Sequence, residues 1–556
     1  MEQRYAIGLD FGTNSARCLI VRLSDGFEAG TFVSRYKHGE KGVLLSQTEP
    51  ELARQHPDDY LQSLPECVLG AIEHAKSSDS GFCPELIVGI GVAATSSTPI
   101  PVDEQGIPLA LNPEFSSNPN ALAWLWKDHT SYFEAEVITR KATELRPQYL
   151  LKYGEVYQPE WFWSKVWRCL NVDPEVYKVA YTWVELSDWI PAVLTGTTHP
   201  SLLKRNICTA GHKAMFNDCW GGLPDEEFLN SLDFRLGALR KRLYDKVYTI
   251  QDRAGELTSE WAEKLGLLVG LPVAIGVSDG HIGAVGAGIK PGTMVRIIGT
   301  SSSDFAVVPN NQSVPDIPGL CGIVDSSIIP SYTSLEAGQS AVGDIYNWFV
   351  DYIQPGGADH EGLTEKASKL KPGESGLVML DWLNGNRSVL SDPRLSGLII
   401  GLNIQTTPAE IYRALIEGTA FGARAIMEHF AEYGFPTNEV IYGGGIAEKN
   451  PMLLQIYADI TGCPMKIART GLASALGASI AGAVASGSYK SVEEAQSAMC
   501  AIKETLYHPI PEHQAIYQQL YSLYKTLHDA FGTLSWSGNL SHVMKRLLDI
   551  RDRERG

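Results

Sequence analysis

The chain has 556 residues, 44% hydrophobic and 20% charged, so it is long enough for two globular domains. Its net charge of −18 excludes a broad basic face for nucleic acid, although a single nucleotide can be held by backbone amides and one or two cations. No run reaches the ~18–20 apolar residues of a membrane span, and Met1-Glu-Gln-Arg-Tyr-Ala lacks the pattern of a signal peptide. The nine cysteines are scattered without a C-x-x-C pair, which fits reduced thiols in the cytoplasm.

Tyr5-Ala-Ile-Gly-Leu-Asp10 reads as a buried strand, Phe11-Gly-Thr-Asn14 as a turn, and Ala16 to Leu23 as the returning strand. Leu86 to Val92 is a further strand. Residues 121–145 and 183–194 read as helices. Pro272 to Val277 is a strand leading into the small-residue segment Gly280 to Gly288. Thr293 to Ile298 and the turn Gly299-Thr-Ser-Ser-Ser-Asp304 then repeat the plan of the chain's opening, which suggests two domains of similar design. A long helix is expected from Pro408 to Tyr433, closed by Gly434. A strand Glu439 to Tyr442 runs into Gly443-Gly-Gly445. Helices follow at Asn450 to Ile460, at 474–486 with small residues able to approach other backbones, and at Glu512 to Phe531. Strands alternating with helices make this an α/β protein, with the domain boundary near 283–292.

Three turns have phosphate-handling chemistry. In the first, Gly12 lets the backbone expose N–H groups, Thr13, Asn14 and Ser15 add polar side chains, and Arg17 adds a cation. Asp10 at the strand end suits Mg²⁺ held through water. The second turn is Gly299-Thr300-Ser301. The third is Gly443-Gly444-Gly445 with Asn450, where glycines would let an adenine lie on the backbone. Each, taken singly, is equally an ordinary turn.

In their fixed order, these turns resemble the phosphate-1, phosphate-2 and adenosine motifs of the actin-like ATPases. Within that superfamily the chain is similar to the FGGY carbohydrate kinases. Gly397-Leu-Ile-Ile-Gly-Leu402 followed by Glu410 to Glu417 meets that family's C-terminal signature. The resemblance implies two actin-like (ribonuclease H-like) ATPase domains, 1–287 and 288–556, facing each other across a cleft. It implies ATP and Mg²⁺, a small sugar substrate, no nucleic-acid or membrane partner, and leaves a homodimer open.

Segments such as Trp161-Phe-Trp-Ser-Lys165, Thr209-Ala-Gly-His-Lys213 and Leu335-Glu-Ala-Gly-Gln-Ser-Ala341 resemble the family branch that phosphorylates L-ribulose in arabinose breakdown. By that resemblance Asp279 is the general base, and Thr95, Ser96, Ser97, Lys213, Asp279 and Glu336 hold the sugar. Read without it, Asp279 is equally a helix cap, and Lys213 and Glu336 are surface charges. His281 reads as structural or as a neighbour of Asp279. The tryptophans at 161, 163, 167, 183 and 189 read as core, with one free to flank the sugar. The pattern departs at Ala93-Ala94, where the branch carries a carboxylate at the presumed edge of the sugar pocket. Two alternatives remain: another FGGY kinase for xylulose, D-ribulose or a polyol, and an actin-like nucleotide-binding protein without sugar turnover.

Overall fold

The computed structural model describes residues 3–444 and 450–556, and these form two seven-stranded sheets. The first sheet contains β1 (Tyr5–Phe11), β2 (Ser15–Arg22), β3 (Glu28–Arg35), β4 (Ile87–Ala94), β5 (Arg253–Glu256), β6 (Pro272–Ala274) and β7 (Val277–Ser278). Its order is β5-β6-β4-β1-β2-β3, with β7 beside β4. The second contains β8 (Thr293–Ile298), β9 (Ser302–Pro309), β10 (Gly322–Asp325), β11 (Tyr332–Ala337), β12 (Glu439–Gly443), β13 (Met465–Ala468) and β14 (Ile502–Tyr507), in the order β10-β11-β9-β8-β12-β13-β14.

The two sheets share a plan. In the first, β1 pairs antiparallel with β2 and parallel with β4. In the second, β8 pairs antiparallel with β9 and parallel with β12. Their first strands are buried along nearly their whole length because both faces are covered.

The expected helices at Pro408–Glu432, Pro451–Thr461, Ala473–Ala485 and Pro511–Gly532 are present. The first opens with a reciprocal capping box between Thr407 and Glu410 and ends just before Gly434 at φ +94°.

Two expected helices are corrected. Only Tyr132–Leu145 of the segment 121–145 is helical; Ala123–Trp124 instead pairs as a strand with Ala53–Gln55. Of 183–194, Thr182–Glu185 is a strand against Pro99–Val102, and the helix is Leu186–Thr195. The segment Pro272 to Val277 is also interrupted, because β6 and β7 are separated by Ile275-Gly276.

The helices Asp279–Gly286 and Ala473–Ala485 cross where the two sheets meet. Glycine permits this approach: a Cβ on Gly477 would lie 1.9 Å from the Ile282 carbonyl oxygen, and one on Gly286 would lie 2.0 Å from that of Ala473. The second helix also lies directly on the first sheet, since a Cβ on Gly8 would meet the Ala475 carbonyl at 1.8 Å. A shared apolar core at this crossing includes Ala93, Ile282, Val295, Phe305, Ile441 and Ile480. A separate aromatic core, with Trp124, Trp163, Trp183 and Phe216, supports the wall of residues between β4 and β5. All nine cysteines are free thiols. Among the described residues, no helix is long and apolar enough to cross a membrane.

Candidate functional site

A cavity of about 300 Å³ opens between the sheets. Ser96, Lys213 and Asp279 line it from the first half of the chain, and Gly299, Thr300, Ser301 and Glu336 from the second. Thr13 also reaches it.

Asp279 begins its helix directly after the N-cap Ser278. Its Oδ1 accepts from the Gly280 amide at 2.7 Å, and Ser474 Oγ donates to its main-chain carbonyl at 2.9 Å. Burial, reinforced by the Asp10 carboxylate, pushes the Asp279 carboxyl up to about 7. Asp10 itself is buried. Its Oδ2 accepts from Arg17 Nη1 at 2.8 Å, while its Oδ1 has no hydrogen-bond partner among the described residues. The idle buried oxygen of Asp10, whose carboxylate also acts on Asp279, fits a divalent cation bound through water.

The expected sugar loop divides by function. Thr95 Oγ1 is engaged with Thr98 Oγ1 at 2.9 Å, and Ser97 Oγ donates to Glu185 Oε1 at 2.9 Å. Neither side chain lines the cavity, so both hold the loop instead. Ser96 alone of this loop faces the cavity, with a buried hydroxyl that has no partner among the described residues. The loop is fixed from below by Glu185, which accepts the Thr98 amide at 2.7 Å. Lys165 Nζ donates to the carbonyls of Ser97 and Leu125 at 2.8 and 2.9 Å. Burial drives the Lys165 ammonium down and the Glu185 carboxyl up. Lys165→Met leaves the carbonyls of Ser97, Trp124 and Leu125 without this donor, so thermal melts are expected to show a loss of ~3 kcal/mol or more.

Lys213 Nζ stands 3.6 Å from Glu336 Oε2 and 5.4 Å from the centre of the Trp161 ring. His212 Nδ1 and His281 Nε2 approach the same carboxylate oxygen at 3.0 and 3.4 Å. Burial opposes charge on Glu336, but Lys213 and the two histidines outweigh it and hold the acid well below its usual range. Burial, then His281, pushes His212 down to about 3, so His212 is neutral. His281 therefore serves Glu336 rather than Asp279. Trp161 lines the cavity, while Trp163, Trp167, Trp183 and Trp189 are core. Ala93 and Ala94 are fully buried in β4 and their own side chains do not line the cavity.

In the first phosphate loop several of the expected groups already have partners within the chain. The Gly12 amide is spent on the Ser15 carbonyl at 3.0 Å, closing the hairpin rather than pointing outward. Asn14 Nδ2 donates to the Lys41 carbonyl at 2.6 Å, and Ser15 is buried within β2. Arg17 is engaged with Asp10. Thr13 remains in place at the cavity, its Oγ1 accepting from Trp126 Nε1 at 3.0 Å.

On the opposite side, the Thr300 carbonyl accepts the amides of Val342 and Asp344 at 2.8 and 3.1 Å. This joins the Gly299-Thr300-Ser301 turn to a second, less polar cavity of about 760 Å³. That cavity is bounded by Gly343, Tyr346, His360, Tyr412 and Asn450. Asn450 also caps its helix through the Leu453 amide. Gly444 has φ +101°, and a Cβ there would lie 2.5 Å from the Ile298 carbonyl. A Cβ on Gly443 would meet only the end of the Ile297 side chain, Cδ1 at 2.7 Å. Gly445 lies outside the described residues.

Sequence reasoning missed Trp126, Glu160 and Arg387, which also line the first cavity. Glu160 had a weak signal, standing next to Trp161. Arg387 had none, because its loop enters the cleft only through long-range packing.

The N-terminal domain of the FGGY family of carbohydrate kinases matches residues 5–286, and its C-terminal domain matches residues 294–486. The chain is 41% identical to a ribulokinase of Halalkalibacterium halodurans, covering 99% of this chain and 98% of the relative. A ribulokinase of Vibrio parahaemolyticus is also 41% identical, over 94% and 95% of the two chains. Among solved structures, a xylulose kinase from Lactobacillus acidophilus aligns with a TM-score of 0.76 at 19% identity, over 95% and 98% of the chains. A Plasmodium falciparum glycerol kinase with ADP gives a TM-score of 0.76 at 16% identity, over 96% and 99%. The duplicated sheets, the cavity between them and these matches agree that the chain belongs to the FGGY family of carbohydrate kinases.

Proposed function

We propose that the protein transfers the γ-phosphoryl group of ATP to the terminal hydroxyl of a 2-ketopentose, foremost L-ribulose. The product is then L-ribulose 5-phosphate, in L-arabinose breakdown. The observation that carries this reading is the convergence on one cavity of a carboxyl group titrating near neutrality, two phosphate-type turns and a set of polyol-type donors and acceptors. The full-length likeness to ribulokinases supports the choice of sugar.

In this reading the less polar cavity beside Asn450 takes the adenosine, and the triphosphate runs past Gly299-Thr300-Ser301 towards Thr13. Ser96, Lys213 and Glu336 orient the sugar so that its terminal hydroxyl meets Asp279. Asp279 accepts that hydroxyl's proton as the oxygen attacks in line with the leaving ADP. A bound Mg²⁺ would offset charge on the phosphates, with Asp10 holding it through water. Closure of the cleft keeps water away from the phosphoryl group. The domains on either side are residues 1–287 and 288–556.

ADP release measured across ketopentoses, pentitols and glycerol tests this. L-Ribulose is expected to give the highest kcat/KM. A higher value for D-xylulose or a pentitol would replace the substrate. ADP release indifferent to every sugar would favour a nucleotide-driven protein without sugar turnover.

A further inference from the structure

We infer that Arg387 is a sugar-recognition residue, reading the end of the substrate remote from the hydroxyl that is phosphorylated. The inference rests on the sugar-kinase reading above.

Arg387 lines the main cavity and also a small recess of about 30 Å³ that opens from it. The recess shares Glu160, Trp161, Lys213, Glu336 and Arg387 with the main cavity, but not Asp279 or the phosphate turns. It therefore lies at the far end of the cavity from the point of transfer. That volume is enough for a water-sized group, which suits a hydroxyl or carbonyl group.

The guanidinium forms no hydrogen bond or ion pair with another described residue, whereas Lys213 and Glu336 contact each other. Its charge is nonetheless felt nearby. Burial pushes the Glu160 carboxyl up, but His129, Arg387 and Lys213 outweigh that and hold it below its usual range.

The backbone carrying Arg387 is fixed. The amides and carbonyls of Asn386 and Asp392 pair reciprocally at 2.9 Å, and the Leu390 amide donates to Asn386 Oδ1 at 2.9 Å. Ser391 Oγ donates to the Arg387 carbonyl at 3.3 Å. The Gly338 amide, two residues from Glu336, donates to Ser388 Oγ at 3.3 Å. Val389 packs so closely that a Cβ on Gly319 would lie 2.0 Å from its carbonyl. An arginine with idle donors on such a support is preorganised to bind.

Charge balance selects the ligand. Lys213 and Arg387 face Glu160 and Glu336, two cations against two carboxylates. Such a site repels a phosphate no less than it attracts one, and it suits a neutral polyhydroxylated molecule. With the terminal hydroxyl at Asp279, the group left for Arg387 is the C1–C2 hydroxyketone end of a 2-ketopentose. Arg387 thus contributes recognition of the sugar from the second half of the chain.

The test compares wild type, Arg387→Met and Arg387→Lys on a 2-ketopentose and on its 1-deoxy analogue, with thermal melts to verify folding. Arg387→Met is expected to raise the sugar KM by about 10–100-fold, as for a lost charged hydrogen bond, with the ATP KM unchanged. Arg387→Lys should fall between. The penalty that wild type shows for the 1-deoxy sugar should shrink in Arg387→Met, because the group and its partner are lost together. An unchanged sugar KM in folded Arg387→Met, an equal rise in the ATP KM, or an undiminished 1-deoxy penalty would each overturn the assignment. Failure of wild type itself to respond to any sugar would instead overturn the kinase reading on which it rests.

Discussion

Asp279→Ala is expected to lower kcat by about 10²–10⁴-fold while ATP binds with its wild-type affinity. The carboxyl lines the cavity together with Thr13, Gly299-Thr300-Ser301, Ser96, Lys213 and Glu336, and it sits at a helix start. Burial and the neighbouring Asp10 poise it near neutrality, at about 7. Single-turnover kinetics with a separate nucleotide-binding measurement would check the split. More than about a tenth of wild-type turnover in Asp279→Ala would rule out Asp279 as the base.

The same shift has two consequences for pH. The base must be ionised, so kcat/KM should fall about tenfold per pH unit below about 7. Stability runs the other way. The folded-state pKa is raised, so the favourable contribution is complete below the ordinary value of 3.8 and is lost as pH rises through about 7. Asp279→Asn removes that loss. Its melting temperature should exceed wild type above pH 7 and converge with it below 3.8.

Gly477→Val is expected to destabilise the fold by ~3 kcal/mol or more and to abolish activity in any folded remainder. The Cβ it adds falls 1.9 Å from the Ile282 carbonyl oxygen, and backbone on a packed helix cannot move aside like a flexible side chain. Forcing these helices apart also moves Ser474, which donates to the Asp279 carbonyl at 2.9 Å. Gly471→Ala, two residues before the same helix, provides the control, since nothing lies within 4 Å of its added Cβ. Equal urea midpoints for the two variants would refute the role of this crossing.

Much of the fold was legible from local chemistry. The hairpin turns, the Thr407–Glu410 cap and the small-residue run from Ala473 all act within a few residues of chain. The misread segments lacked that property. The carbonyls of Trp124 and Leu125 receive Lys165, and Ala123–Trp124 pairs with Ala53–Gln55, so an apolar run with remote partners reads falsely as a helix. Thr182–Glu185 is likewise set by Pro99–Val102. In the sugar loop, sequence marked Thr95, Ser96 and Ser97 alike. Only Glu185, 88 residues from Ser97, decides that Ser97 faces away from the cavity.

The sequence by itself marked the two-domain kinase plan and the residues Asp279, Lys213 and Glu336, because each stands in a short motif of fixed local spacing. Tertiary structure alone decided which of the loop's hydroxyls and which further cation line the cavity. Side-chain direction in a packed cleft depends on contacts between residues hundreds of positions apart, and Arg387 enters the site by that route alone.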